Sequence, residues 1–395
     1  MRPLMGKFRH YDWGSRDTIP RILGLEPTGE PVAEYWLGAH PSSPSTLDDL
    51  CLDELITNDP SVVGDNARTH FEGRLSFLIK LLSAARPLSL QAHPTLPQAQ
   101  AGYDAENVAG IALDAPDRTY RDPWDKPELL IAVTPFDALV GFRDPAHSIE
   151  LFEALGVSSA TLSLLDALRL RSGSAAMAEL FLNLLVPDEQ RQDALVEVVS
   201  AAVTHVDDEG EVGLFARTAV ELDEHFPNDT SLLAALLLNR VHLEPGEAVH
   251  LEPGTMHAYL SGTGVEVLGN SDNVLRGGLT SKYIDAPGLV QVVDFTAVEM
   301  HPMSPVPRGD GLWYYPAEEA AFAAWRLDLM PGREVTCPAY TSARILLVTE
   351  GGLTLTDGTG HLTLARGQAA WLAAGEQVKI TGEGTGFLAA TGLDA

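Results

Sequence analysis

The sequence predicts a mainly β protein in which an all-helical block is inserted between two β regions, each folded as a barrel or jelly roll. Three observations carry that expectation. Short apolar runs separated by Pro and Gly fill both ends of the chain, the middle has helical periodicity, and one spacing of glycines occurs twice. At 395 residues, 45% hydrophobic and 21% charged, the chain is long enough for two or three globular domains and too apolar to be disordered.

Residues 1–145 hold runs such as PVAEYWLGAHPSSPS, LSFLIKLLSAARPLSLQAHP and KPELLIAVTPF, short segments broken by turn residues, as strands are. Between 146 and 240 the pattern changes. In DALVEVVSAAV, Leu195, Val198, Val199 and Ala202 recur at i, i+3, i+4 and i+7, one face of a helix. SIELFEAL, TLSLLDALRL, AAMAELFLNLLV and TSLLAALLLNRV carry similar stripes, with Pro187 and Pro227 between them as breakers. After 240 the strand signal returns and divides at about 310. Gly246, Gly254 and His257 are spaced as Gly367, Gly375 and Val378 are. That repeat predicts two related β lobes, 1–145 with 241–310 and then 311–395. In the second, a valine fills the histidine's slot, so that lobe is expected to hold no metal.

The formal net charge is −29, with 55 acidic residues against 26 Lys and Arg. Spread along the chain, it repels nucleic acid and anionic membranes, so neither is expected as a partner. An anionic small substrate needs a local basic pocket. Cys51 and Cys337 are too far apart in sequence to suggest a redox pair, which fits a reducing cytoplasm. The first residues lack an apolar leader core, and LLAALLL is too short to span a bilayer. A cytoplasmic protein, monomeric or weakly self-associating, is the expectation.

Several polar groups stand inside apolar β segments: Gln91 and His93 in LSLQAHP, Glu128 in DKPELLIAV, and His257 in PGTMHAYL. On a strand, residues two apart share a face. Zinc accepts imidazole nitrogen and carboxylate oxygen at about 2.0–2.2 Å, often from three protein ligands in catalytic sites. Two histidines and a glutamate supply such a set, with the Gln91 amide oxygen as an extra donor. The competing reading is that each histidine is a hydrogen-bonded core or rim residue, the commoner fate of a lone histidine on a strand.

YDWGS (residues 11–15), AEYWLGAHPSSPS (33–45), FLIKLLSAARPLSLQAHP (77–94), YRDPWDKPELLIAVTPFDALVGFR (120–143) and GVEVLGNSDNVLRGGLTSKYID (264–285) together resemble the type I mannose-6-phosphate isomerases, in order, to about residue 310. The resemblance implies two cupin-like jelly-roll lobes with a helical domain inserted in the first. It implies an aldose–ketose isomerase that interconverts mannose 6-phosphate and fructose 6-phosphate through an enediolate, feeding mannose metabolism and GDP-mannose synthesis. It implies one Zn²⁺ per chain on Gln91, His93, Glu128 and His257, and a catalytic Arg276. It associates Lys80 with the substrate phosphate and puts Lys126 and Asp272 around the sugar. No G-x-G-x-x-G fingerprint is present, as suits an internal redox exchange that needs no nicotinamide.

Read from the residues, Lys80 follows an apolar run that would bury its stem, and Ser89 shares the face of Gln91 and His93. Their alternatives are a surface lysine and a backbone-bonded serine. The alternative for Arg276 is a turn-stabilising ion pair with Asp272, four residues earlier. Two departures from the family pattern stand out. Asp125 occupies the place of a histidine common before K-P-E, and Thr95 and Leu96 follow QAHP where relatives carry an acidic or amide residue and then lysine. The rival functions are a non-catalytic sugar-phosphate-binding cupin and an iron oxygenase on the overlapping ligand set.

Overall fold

The computed structural model describes residues 1–171, 173–337 and 340–394. Among them the strands form two sheets, one of ten strands and one of eleven. The main path of the ten-stranded sheet runs Leu238–Leu243, Phe136–Phe142, His257–Gly269, Phe77–Ala84, Glu34–Gly38, Lys7–Arg9, so it joins the two β regions on either side of the helical stretch. Off this path, Glu128–Ala132 and Leu90–Ala92 both pair with His257–Gly269, which therefore organises the whole sheet. Phe77–Ala84 is buried along its entire length, which explains its near-continuous apolar run and makes Lys80 and Ser83 buried polar groups.

The eleven-stranded sheet gathers the C-terminal strands and also takes in the N-terminus. Arg2, Pro3 and Leu4 pair with Trp371, Ala370 and Ala369, and Thr46–Leu47 pairs with the same N-terminal strand. One apolar core lies between the sheets, with Leu37, Ile79, Leu129 and Val265 on one side and Phe322, Ile345, Leu347 and Phe387 on the other. Polar ties cross the same interface, among them the Tyr315 hydroxyl to the Gly246 carbonyl at 2.8 Å and His250 Nε2 to Glu319 at 2.8 Å.

The two glycine frames fold alike. Gly246 and Gly254 both have φ +93°, Gly367 and Gly375 have +85° and +78°, and each turns the chain where a β-carbon would be strained. Between and after them run Ala248–Leu251 and His257–Gly269 in one copy, Ala369–Leu372 and Val378–Ala390 in the other. The strands match residue for residue in length. Val378 is fully buried, as an apolar residue in the histidine's slot has to be.

Helices occupy the stretch between Phe136–Phe142 and Leu238–Leu243: Pro145–Ala154, Ser174–Leu184, Glu189–Val203 and Gly210–His225 are the longest. The TSLLAALLLNRV stripe, expected to be helical, is so only in part. Its helix, Ser231–Ala235, is short, and Leu238–Leu243 is a strand paired to Phe136–Phe142. Leu-rich runs satisfy both patterns, and sheet pairing decides this one. Helical Phe181, Leu184 and Leu195 share a core with Leu90, Ala92, Met256 and Leu275, so the helices brace the strands around the predicted ligands. No helix among the described residues is long and apolar enough to cross a membrane.

Candidate metal centre and active-site cavity

Strand pairing brings the predicted ligands together. Leu90–Ala92 is three residues long, so only Gln91 of its polar set is on the strand proper. Gln91 stands opposite His257 on one side and Arg276 on the other, and directly opposed residues share a face. Glu128 opens its strand opposite Leu268. His93 follows the short strand, and its carbonyl accepts from the Gly254 amide at 2.8 Å, which fixes the turn leading into His257.

His93, Glu128 and His257 each offer a ligand atom, and these atoms all lie within 4.8 Å of one another. His93 Nε2 is 3.3 Å from Glu128 Oε1, and His257 Nε2 is 3.5 Å from Glu128 Oε2. All three residues are at most 2% exposed. The outer ring nitrogens face carbonyls, His93 Nδ1 that of Asn273 at 2.7 Å and His257 Nδ1 that of Thr255 at 3.0 Å. A carbonyl only accepts, so each Nδ1 carries the proton and each Nε2 turns its lone pair inward. Among the described residues, His93 Nε2 and Glu128 Oε2 lack a hydrogen-bond partner, as donor atoms awaiting a cation would. The Gln91 amide nitrogen stands 3.2 Å from His257 Nε2; turning the amide over presents its oxygen instead.

The electrostatics suit a cation. Burial, then the charge of Lys126, push His93 down to about 4, which keeps it neutral and able to ligate. Burial alone would raise Glu128, but Lys126, His93 and His257 together hold it well below the usual carboxylate range. Lys126 Nζ lies 3.0 Å from Glu128 Oε1.

A second buried network adjoins the first. Lys80 Nζ is 2.9 Å from Glu266 and 3.5 Å from Glu34. The Tyr259 hydroxyl donates to Glu266 Oε1 at 2.8 Å, and the Trp36 indole donates to Glu34 at 2.9 Å. Burial would lower Lys80, yet Glu266 and then Glu34 raise it above the ordinary lysine value. Burial raises Glu266, with Lys80 opposing. The predicted phosphate ligand Lys80 is thus 7% exposed and already committed to two carboxylates.

All nine predicted site residues except the buried His93 and His257 line one cavity of about 1,040 Å³. Arg276 pairs with no carboxylate among the described residues. The ion pair weighed against its catalytic role is absent, because Asp272 faces His40 Nε2 at 3.2 Å instead. Burial and then Arg121 lower Arg276; burial, Arg276 and Arg121 lower Lys282. These three cations therefore crowd one another at the cavity wall. Asp125 is not among the lining residues: burial and Glu319 push it up to about 6, with Arg74 and Asp122 as its other charged neighbours. It stands toward the C-terminal sheet.

Glu34, Glu266, His40, Arg121 and Lys282, which the sequence reading did not single out, line the cavity too, as do Trp13 and Trp36. The signal for Glu266 was present: a carboxylate within the apolar strand GVEVLG, the same pattern that singled out Glu128.

Residues 1–145 match the family model of the phosphomannose isomerase type I catalytic domain. The chain is 37% identical to the mannose-6-phosphate isomerases of Shigella flexneri and Escherichia coli (strain K12), over 98% of each chain. Among solved structures it is similar to a mannose 6-phosphate isomerase bound with zinc and yttrium, at TM-score 0.89 and 34% identity, and to the apo form from Salmonella typhimurium, at 0.89 and 35%. Each alignment covers 99% of both chains.

Proposed function

The chain belongs to the mannose-6-phosphate isomerase family, interconverting mannose 6-phosphate and fructose 6-phosphate, and we propose that it does so on one zinc ion held by Gln91, His93, Glu128 and His257. The observation that carries the zinc reading is the pair of inward Nε2 lone pairs, fixed by carbonyls behind them, converging on an ionised carboxylate. The bound ion supplies Lewis acidity to the oxygens of the substrate's C1–C2 edge.

The remaining chemistry belongs to the chain. Arg276, the lateral neighbour of Gln91, offers a guanidinium to the enediolate oxygens, with Lys126 adding positive charge from beside Glu128. Arg121 and Lys282, mutually repelled and without a carboxylate partner among the described residues, take the phosphate, with the half-buried Ser89 hydroxyl as a further donor; a dianion there relieves the repulsion. Asp272 accepts a sugar hydroxyl, oriented by the His40 Nε2–H. Glu266, whose pKa burial raises, takes the proton from one carbon and returns it to the other. Lys80 acts as a positioning residue that holds Glu266 rather than as a phosphate ligand.

We read the two β regions as cupin-like lobes, the first formed by 1–145 with 241–310, the second by 311–395, and 146–240 as the inserted helical domain. In the second, Val378 stands where His257 does in the first, and a valine offers a metal no ligand atom. Stripping the protein with chelator and restoring zinc tests the metal reading. Turnover in a coupled assay falls and returns with about one zinc per chain bound; full activity in metal-free protein would end it.

A further inference from the structure

Five cations that pair with no carboxylate among the described residues line the cavity of this acidic protein: Arg9, Arg86, Arg121, Arg276 and Lys282. They fall into two groups. Arg276 lies on Leu275–Gly278 and Arg9 on Lys7–Arg9, and the pairing path between those strands passes through Leu90–Ala92, His257–Gly269, Phe77–Ala84 and Glu34–Gly38. Four strands separate the two in the pairing order, so the two groups belong to different stretches of the cavity wall. The repulsion that lowers Arg276 and Lys282 comes from Arg121 and from Arg276, not from Arg9 or Arg86. A hexose 6-phosphate carries one phosphate, and the isomerisation leaves the Arg9–Arg86 end without an anion.

That end is aromatic as well as basic. The Tyr11 and Trp13 rings stack with centroids 5.6 Å apart and planes at 21°. Arg9 donates through Nε and Nη2 to the Tyr11 hydroxyl at 3.1 and 2.9 Å, and its guanidinium is 5.2 Å from the Trp36 ring. Tyr11 is 37% exposed, with the Arg9 guanidinium 5.4 Å from its ring centroid as well. The Trp13 carbonyl accepts from the Ala85 amide at 2.9 Å, which brings the neighbouring Arg86 to the same wall. A cavity of about 1,040 Å³ also reaches the upper end of the range of about 300–1,000 Å³ that suits drug-sized ligands, and a hexose phosphate is much smaller.

We propose that the Tyr11–Trp13 platform with Arg9 and Arg86 is a nucleotide seat, on which a purine nucleoside diphosphate stacks its base and lays its phosphates, in competition with the hexose phosphate. Flat aromatic rings give a base its stacking face and two guanidinium groups give its phosphates bidentate donors, whereas a hexose 6-phosphate brings one phosphate and no aromatic ring.

Calorimetric titration of the full-length, zinc-loaded protein with GDP, and separately with inorganic pyrophosphate, tests the seat. GDP binds saturably, raises the apparent KM for mannose 6-phosphate without changing kcat, and binds about tenfold or more weakly to Tyr11→Ala, as expected for loss of one base–aromatic stack. Arg86→Gln, a change at an exposed side chain, weakens it too. Absence of binding at millimolar GDP overturns the proposal. So does binding that leaves the KM unmoved, or pyrophosphate binding as tightly as GDP with Tyr11→Ala without effect.

Discussion

Replacing Lys80 by methionine separates the two roles that can be given to this residue. The side chain is 9% exposed, with Glu266 at 2.9 Å and Glu34 at 3.5 Å. Methionine keeps most of the stem's packing and removes the charge, leaving two buried carboxylates facing each other without a counterion. Breaking a buried pair in this way costs about 3–5 kcal/mol. Because burial already raises Glu266, that group can take up a proton, which puts the cost near about 3 kcal/mol. A second change, Glu266→Gln, removes one stranded charge and recovers much of the loss, since a buried pair replaced by neutral groups of similar shape is often near neutral. Urea unfolding of the wild type, both single variants and the double variant measures the coupling. The kinetics are expected to show a lower kcat at similar KM. A Lys80→Met protein that loses less than about 1 kcal/mol, yet shows a KM for mannose 6-phosphate raised about tenfold at unchanged kcat, would refute this reading and return Lys80 to the phosphate.

Three further outcomes follow from the same geometry. Arg276→Ala lowers kcat by about 10²–10³, the usual loss of one oxyanion donor, with zinc content by atomic absorption unchanged; near-normal turnover removes it from the chemistry. His93→Ala abolishes stoichiometric zinc binding, while Val378→Ala, in the corresponding glycine frame of the eleven-stranded sheet, leaves zinc content as it is. Asp125 has a folded-state pKa of about 6, above the ordinary carboxyl value, so its proton stabilises the fold at low pH. That contribution is complete below the unfolded pKa and is lost as pH rises through about 6. Asp125→Asn, which stays neutral throughout, is therefore expected to gain on the wild type by up to about 3 kcal/mol between about pH 4 and pH 7. A difference between the two proteins that stays constant across that range contradicts it.

The sequence disclosed most about places where residue type and alternation alone decide the outcome. Gln91, Glu128 and His257 stood out because polar groups inside apolar strands require a reason, and a metal ion is a common one. The glycine frame was readable because Gly246, Gly254, Gly367 and Gly375 all take the positive φ that other residues avoid. Leu238–Leu243 escapes such a reading because the apolar run LLAALLL, which satisfies a helix as well as a strand, leads straight into it, and its pairing partner, Phe136–Phe142, is remote in the chain.

Charge is where local reading stops. Lys80 and Lys282 are both single lysines, one inside FLIKLL and one in LTSKYID, and nothing local says which is neutralised. The answer comes from register: Glu266 stands opposite Lys80 across one strand pair, and the neighbouring strand brings Glu34 to the other side of the ammonium. Lys282 lies on a connection that reaches the cavity, has no carboxylate partner among the described residues, and feels the charges of Arg276 and Arg121. A cation acquires its role from what opposes it, and opposition is a property of the sheet. The same holds for Asp125. Residues two apart, Lys126 and Glu128, turn to one side and reach the cavity, while Asp125, one place out of step, turns to the other and meets Glu319. Whatever proton chemistry a histidine at that position performs in relatives, an aspartate turned toward the C-terminal sheet and away from the cavity does not perform it at the sugar. The load falls on groups the cavity does contain, with Glu266 first among them.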